Sequence, residues 1–196
     1  NPDALLTVDA TSSLGGIQLD FKLADVWLCS VQKCLGLPAG MGMMILSPNA
    51  MSRAQEIGEN KHYNSLLRIL DNAQKNQTSY TPNVLDIYLL NKTQTHSKGI
   101  KHLSNKIFER YQAYEAFFSQ SKTFNFLIRN EKLRSHTVLA IETADPASIK
   151  AKAEEKNIIL GNGYGQWKSS TFRIANFPAI KTREIDRLMS FLSQFD

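Results

Sequence analysis

Long apolar runs are missing from this sequence, and so are basic tracts, internal repeats and clusters of cysteine. Each absence removes a class of protein. No stretch approaches the ~18 consecutive apolar residues of a membrane-spanning helix, so no membrane partner is expected. A formal charge of +5 would suit a nucleic-acid partner. However, Lys and Arg are scattered along the chain with no basic run and interleaved aromatics, so none is expected. A mildly cationic surface fits small anionic ligands instead. The two cysteines, Cys29 and Cys34, are spaced like neither a zinc-ligand pair nor a redox Cys-x-x-Cys. They are expected to be reduced packing residues, and no metal is expected. With no secretion signal recognisable at its start, the chain reads as a soluble, cytoplasmic protein.

What is present is ordinary for a globular protein. The chain has 196 residues, of which 42% are hydrophobic and 21% charged. That is enough for one large or two small domains with their own cores.

The stretch around which the rest is organised is Leu28-Cys-Ser-Val-Gln-Lys-Cys-Leu-Gly-Leu-Pro-Ala-Gly40. Val26-Trp-Leu-Cys29 reads as a short buried strand. Gly36, Pro38 and Gly40 then forbid regular structure and let backbone approach a ligand closely. Lys33 stands between the two. Taken alone it reads as a surface lysine on a loop. In a site partly closed to water, the ammonium form of such a lysine is disfavoured and the neutral amine becomes a nucleophile for carbonyl carbon. A second short apolar run, Ala4-Leu-Leu-Thr-Val8, ends in Asp9 and a small-residue turn, Ala10 to Gly16. Two buried strands, each ending in a charged residue and a turn, form the pattern of a parallel sheet whose carboxyl ends hold a ligand.

These residues carry a resemblance. Val8-Asp9-Ala10-Thr11-Ser12-Ser13, Ser30-Val31-Gln32-Lys33 and Pro38-Ala39-Gly40 are similar to the pyridoxal-phosphate site of class V aminotransferases, in the phosphoserine and alanine–glyoxylate branch. The resemblance implies an α/β fold: the second half of a large domain with a mostly parallel sheet, residues 1–120, followed by a small α/β domain, residues 121–196. It implies that Lys33 forms the Schiff base with pyridoxal 5′-phosphate and shuttles the substrate proton, that Asp9 pairs with the ring nitrogen, and that Gln32 bonds the cofactor phosphate. It covers nearly all of this chain but only the second half of the family's. The part before Asn1-Pro2-Asp3, which in the family cradles the phosphate and stacks on the ring, is expected to be missing.

Further along, Gly42 to Ser47 reads as a strand returning antiparallel, ended by Pro48-Asn-Ala50. Residues 51–76 read as a polar connection with a weak helical pattern through Leu66, Leu67, Ile69 and Leu70. His62, Tyr63 and Arg68 are assigned there to solvent. Thr81-Pro82 reads as an N-cap with proline in the first helical turn. By resemblance, Thr81 also reaches the cofactor phosphate of a partner copy, which makes the protein a homodimer with a shared site. Such a bond would use the helix N-terminus as an anion site. Ile100, Leu103, Ile107, Tyr111, Tyr114 and Phe118 form the apolar stripe of a helix opened by Gly99. Its aromatics are read as core, and Ser119 to Lys132 as the boundary region.

The last part reads as strand, helix, glycine-rich loop, strand and helix, with Asp145-Pro146 capping the first helix. Arg173 alternates with Phe172 and Ile174, so its side chain lies opposite theirs. By resemblance, Phe172-Arg-Ile-Ala-Asn176 carries the arginine that holds the substrate α-carboxylate, a role suited to its planar fork. One departure bears on the substrate: phosphoserine aminotransferases carry a His-Arg pair in the preceding loop, where this chain has Gly165-Gln166-Trp167-Lys168. The implied activity is transamination between an amino acid and a 2-oxo acid, phosphoserine-like or alanine–glyoxylate-like. The alternatives are a cysteine desulfurase or lyase on the same cofactor, or a catalytically incomplete relative keeping only the fold and dimer surface. Gln32, where desulfurases place a histidine, speaks against the first.

Overall fold

The computed structural model describes residues 4–196; Asn1-Pro2-Asp3, read as leading into the first strand, lie outside them. The described chain divides into two compact units. One holds the residues up to Leu14 with Leu19–Ser97, and the other holds Gly15–Gln18 with Lys98–Asp196.

In the first unit, β1 (Thr7–Asp9), β2 (Val26–Ser30) and β3 (Gly42–Leu46) form one sheet in that order. β1 and β2 run parallel, while β3 returns antiparallel to β2 as expected. The mostly parallel sheet expected of the large domain is represented here by the β1–β2 pair. The alternation of β2 sets its faces: Trp27 and Cys29 are buried, whereas Leu28 is 38% exposed. Trp27 and Cys29 pack with Ala10, Ala24, Val31, Leu35 and Leu37 into a small core. The Trp27 indole N–H donates to the Phe21 carbonyl at 3.3 Å, which satisfies its polar atom.

Three helices follow: α1 (Pro48–Ile57), α2 (Leu66–Gln74) and α3 (Val84–His96). α1 replaces part of the expected polar connection. Its start signal is Ser47, whose hydroxyl accepts from the Ala50 N–H, with Pro48 in the first turn; Gly58, at φ 67°, ends it. Most of its residues are exposed and Ala50 is its buried one, so apolar periodicity is weak and the cap is the informative feature.

The second unit contains α4 (Ile100–Gln120), β4 (Asn125–Phe126), β5 (Val138–Glu142), α5 (Pro146–Glu155), β6 (Gly161–Asn162), β7 (Thr171–Ala175) and α6 (Thr182–Leu192). Its sheet has the order β4-β5-β7-β6 and is antiparallel throughout. The aromatic stripe of α4 is core, as read: Tyr111, Tyr114 and Phe118 pack with Phe124, Phe126, Phe172 and the apolar face of α6. The Phe124 and Phe172 rings meet edge to face at 5.9 Å.

Between Ser119 and Lys132, Phe124, which is fully buried, and Phe126, 8% exposed, both lie inside this core. α4 belongs to this compact unit, since its buried face packs on β4 and α6. Among the described residues no helix is long and apolar enough to cross a membrane.

Candidate active site

Because β1 and β2 are parallel, with Asp9 opposite Leu28, their carboxyl ends lie at the same edge of the sheet. Asp9 is the last residue of β1, and Lys33 lies three residues beyond Ser30, the last residue of β2. The Ala10 N–H extends the ladder by donating to the Leu28 carbonyl at 2.7 Å.

Asp9 is exposed at that edge. Its carboxylate accepts from the Thr11 N–H at 2.8 Å. Bonds from the Thr11 side chain and backbone hold its carboxyl below the ordinary range, so Asp9 stays an anion. An exposed, firmly ionised carboxylate at the end of a strand suits a cationic ring nitrogen.

The lysine loop is pegged rather than loose. Val31, Leu35 and Leu37 are buried beneath it, while Gln32, Gly36, Pro38, Ala39 and Gly40 are exposed and Lys33 is half-buried. The Val31 N–H donates to Met41 and the Leu37 N–H to Val31, each at 3.2 Å; the Gly36 N–H closes on the Lys33 carbonyl at 3.0 Å. Gly36 (φ 71°) and Gly40 (φ 142°) take backbone angles that side chains disfavour.

Cys34 joins the two halves of this edge. Its thiol donates to the Ser12 carbonyl at 3.2 Å, tying the residue after Lys33 to the turn that follows Asp9. Burial pushes this thiol up to about 12, so it remains a protonated donor. Both cysteines are free and buried, and no local pattern signals this tie across 22 positions.

The start of α3 corrects the reading of Thr81. The cap is Asn83, whose side chain accepts from the Asp86 N–H at 3.1 Å; Pro82 precedes the cap instead of opening the helix. Asn83 wins because it adjoins the helix, so its side-chain carbonyl reaches the N3 amide, and Asp86 returns the contact, accepting from the Asn83 amide at 2.9 Å. With a carboxylate already in its first turn, this N-terminus is occupied as an anion site. Thr81 is exposed two residues upstream. A Cβ on Gly40 would stand 3.5 Å from the Asn83 side chain and 3.6 Å from that of Asp86, so α3 begins against the loop that carries Lys33. Asp9, Gln32, Lys33 and Thr81 therefore belong to one unit.

The first unit also has a cavity of about 220 Å³ lined by Leu5, Val26, Ala50, Leu66 and Leu67. Val26 opens β2, so this cavity lies at the opposite end of the strand from Lys33 and contributes nothing to the site.

Arg173 lies in the second unit, at the middle of β7, with Phe172 and Ile174 buried on the other face as expected. Its neighbour on β6 is Gly161, where a Cβ would come within 3.3 Å of the Arg173 side chain. The side chain crosses β6 there. Its Nε–H donates to the Asn162 carbonyl at 2.6 Å, and its guanidinium lies 4.2 Å from the centre of the Tyr164 ring. In the loop that follows, Gln166, Trp167 and Lys168 are all exposed. The Thr171 hydroxyl fixes that loop by donating to the Trp167 carbonyl at 2.6 Å. Sequence reasoning singled out Arg173 but not Tyr164 or Asn162; the short strand β6 that presents them has no apolar signature.

Comparisons with known proteins agree with this geometry. The family model described as aminotransferase class-V matches residues 1–176. A phosphoserine aminotransferase of Corynebacterium glutamicum is 28% identical over 94% of this chain and 52% of its own. A putative phosphoserine aminotransferase of a Mycobacterium species is 26% identical over 95% and 53%. A crystal structure of a phosphoserine aminotransferase from Cytophaga hutchinsonii superposes with a TM-score of 0.87 at 33% identity, covering 99% of this chain and 56% of that one. An alanine–glyoxylate aminotransferase from Nostoc shares the fold, with a TM-score of 0.82 at 17% identity over 97% and 53%. The chain spans about half the length of the curated relatives it matches. With the family model covering most of its length and the lysine loop tied to the aspartate turn at one sheet edge, the chain belongs to the class-V aminotransferase family.

Proposed function

We propose that this chain supplies the lysine, the ring partner and the carboxylate-binding arginine of a pyridoxal-phosphate-dependent aminotransferase acting on an amino acid and a 2-oxo acid. The observation that carries the reading is the Cys34–Ser12 tie, which links the lysine loop to the turn behind an ionised Asp9 at one sheet edge. When bound, pyridoxal phosphate supplies an electron sink for the pair left when the substrate Cα–H bond breaks. The rest falls to protein groups. Asp9 holds the proton on the ring nitrogen. Lys33 Nζ would take the proton from Cα as base and deliver it as acid to C4′ of the cofactor. Gln32 and, from a second copy, Thr81 donate hydrogen bonds to phosphate oxygens through their side chains. Arg173 binds the α-carboxylate and so fixes which substrate bond stands perpendicular to the ring.

The proposal extends to a homodimer with a shared site, a cytoplasmic location, and a division into a cofactor-binding part, residues 1–120, and a C-terminal part, residues 121–196, with α4 as the last helix before the boundary. Phosphoserine is the substrate class favoured by the names of the relatives. The uncharged Gln166 and Trp167 favour a second reading, an alanine–glyoxylate-like specificity, with Lys168 as the cation left in that loop to meet a phosphate.

The test is absorbance of the protein, purified as its gene encodes it, after incubation with pyridoxal phosphate, then borohydride reduction and peptide mapping. A visible band fixed by reduction on Lys33 and abolished in Lys33→Ala is expected. No band, or a band that reduction fixes elsewhere, overturns the reading. Phosphoserine and alanine are then compared as donors. Lys168→Ala is expected to lower kcat/KM for phosphoserine about tenfold and to leave alanine unchanged.

A further inference from the structure

We infer that Tyr164 and the Asn162 carbonyl are a positioning device that presets Arg173 as an end-on clamp for a carboxylate; this rests on the proposed role of Arg173. A guanidinium can hold a carboxylate in two ways, through Nε with one Nη, or through both Nη atoms at its tip. Arg173 has spent the first option, because its Nε–H donates to the Asn162 carbonyl at 2.6 Å. The grip that remains is the terminal fork.

Four further features set the place and plane of that fork. Gly161, opposite Arg173 on β6, leaves the space over which the side chain passes; a Cβ there would sit 3.3 Å from the Arg173 Cβ and 3.8 Å from its Nε. The Tyr164 ring, 4.2 Å from the guanidinium carbon, takes one face of the plane by cation–π contact. Asn162, whose carbonyl receives Nε, is held from its side chain by Lys150, whose ammonium donates to Oδ1 at 2.5 Å. Gly163 lets the chain turn tightly enough to present Tyr164, since a Cβ there would collide with the Thr171 hydroxyl and the Trp167 carbonyl. The sequence Gly161-Asn-Gly-Tyr164 is thus a cradle built for one side chain. A flexible arginine loses rotamer freedom when it grips a ligand; one already fixed in plane does not, and the carboxylate meets a fork of set orientation.

The test uses the protein as its gene encodes it, with pyruvate as the probe and acetone, the same carbonyl without the carboxylate, as the control. Side-chain 15N NMR of arginine reads binding at Arg173. In the wild type, the Arg173 Nε–H resonance is expected to be ring-current shifted and slow to exchange, and pyruvate to perturb the Nη signals while leaving Nε–H protected. Tyr164→Leu is expected to abolish the ring-current shift and weaken pyruvate binding about tenfold, with Tyr164→Phe restoring both. In turnover, Tyr164→Leu raises KM for the 2-oxo acid by the same factor and changes kcat little. Three results overturn the inference: pyruvate displacing the Nε–H bond, Tyr164→Leu binding as the wild type does, or Tyr164→Phe failing as badly as Tyr164→Leu. If pyruvate does not perturb Arg173 although the cofactor band forms on Lys33, the clamp falls and the cofactor reading stands. If the band is absent while the clamp behaves as described, the aminotransferase reading falls and the clamp stands.

Discussion

The two units bury their apolar residues differently. The second closes a core of interlocked aromatics, with Phe118 meeting Phe124 and Phe126 edge to face, and seals it with α5 and α6. The first has a smaller core and keeps more large apolar side chains on its surface: along α3, Val84, Leu85, Ile87 and Tyr88 are 46 to 67% exposed, and on β2 and β3 Leu28 and Met44 are about two-fifths exposed. The unit that carries the lysine and the aspartate is the open one. A site needs a sheet edge that a ligand can reach, and a sheet edge left accessible cannot also be a closed core. The second unit offers its arginine from an exposed strand face, with the sealed core directly behind it.

The largest effect expected to sharpen this contrast is in the aromatic core. Phe172→Ala removes a fully buried ring packed on Phe124 and should cost about 3–5 kcal/mol, read by urea unfolding with circular dichroism. Leu28→Ala, at an exposed position of the first unit, should cost less than about 1 kcal/mol. Equal costs would break the distinction between a sealed and an open unit.

Next in size is a buried polar residue of the second unit. The fully buried Asn176 donates its amide to the Ile107 carbonyl at 3.0 Å and the His136 carbonyl at 2.9 Å. Asn176→Ala strands two acceptors in the interior and should cost about 2–4 kcal/mol in the same assay. A loss below about 1 kcal/mol would mean that water reaches this place.

Helix caps should not distinguish the units, since each acts locally. Ser47 caps α1 and Asp145 caps α5, the latter accepting from the Ser148 N–H at 3.0 Å. Ser47→Ala and Asp145→Ala should each cost about 1 kcal/mol. Ser47 should cost somewhat more, because its hydroxyl also donates to Asp25 at 2.9 Å.

The smallest effect is one of pH. His136 packs on Tyr111 at 4.4 Å, and burial lowers its pKa. The unfolded chain therefore binds a proton there first as pH falls through the ordinary histidine value of about 6.5. Stability from this group is complete above that value and is lost as pH falls from it toward the lower folded value. Urea midpoints measured between pH 7.5 and 5 should decline, and His136→Phe should flatten that part of the decline.

Much of this was legible in the sequence because it depends on neighbours along the chain. The alternation of Phe172, Arg173 and Ile174 set the outward face of the arginine. The spacing of Ile107, Tyr111, Tyr114 and Phe118 set the buried face of α4, and Asp145-Pro146 marked the start of α5. The small-residue turns after Asp9 and around Lys33 marked two strand ends. α1 escaped notice because its start is written in a cap while its apolar pattern is faint.

What only the tertiary structure decided are contacts between residues distant in sequence. The Cys34 thiol finds the Ser12 carbonyl only because β1 and β2 pair in parallel at one register; a shift of one residue would turn it away. Asn83 displaces Thr81 as the cap of α3, beginning where Asn83 and Asp86 sit against Gly40. Arg173 is fixed by Gly161, Asn162 and Tyr164 because the two-residue strand β6 is laid beside β7, and two residues are too few to leave a period in the sequence. Local pattern determined which residues form elements and which face is apolar. The pairing of those elements, which brings together groups tens of residues apart, determined which side chains hold the candidate site in shape.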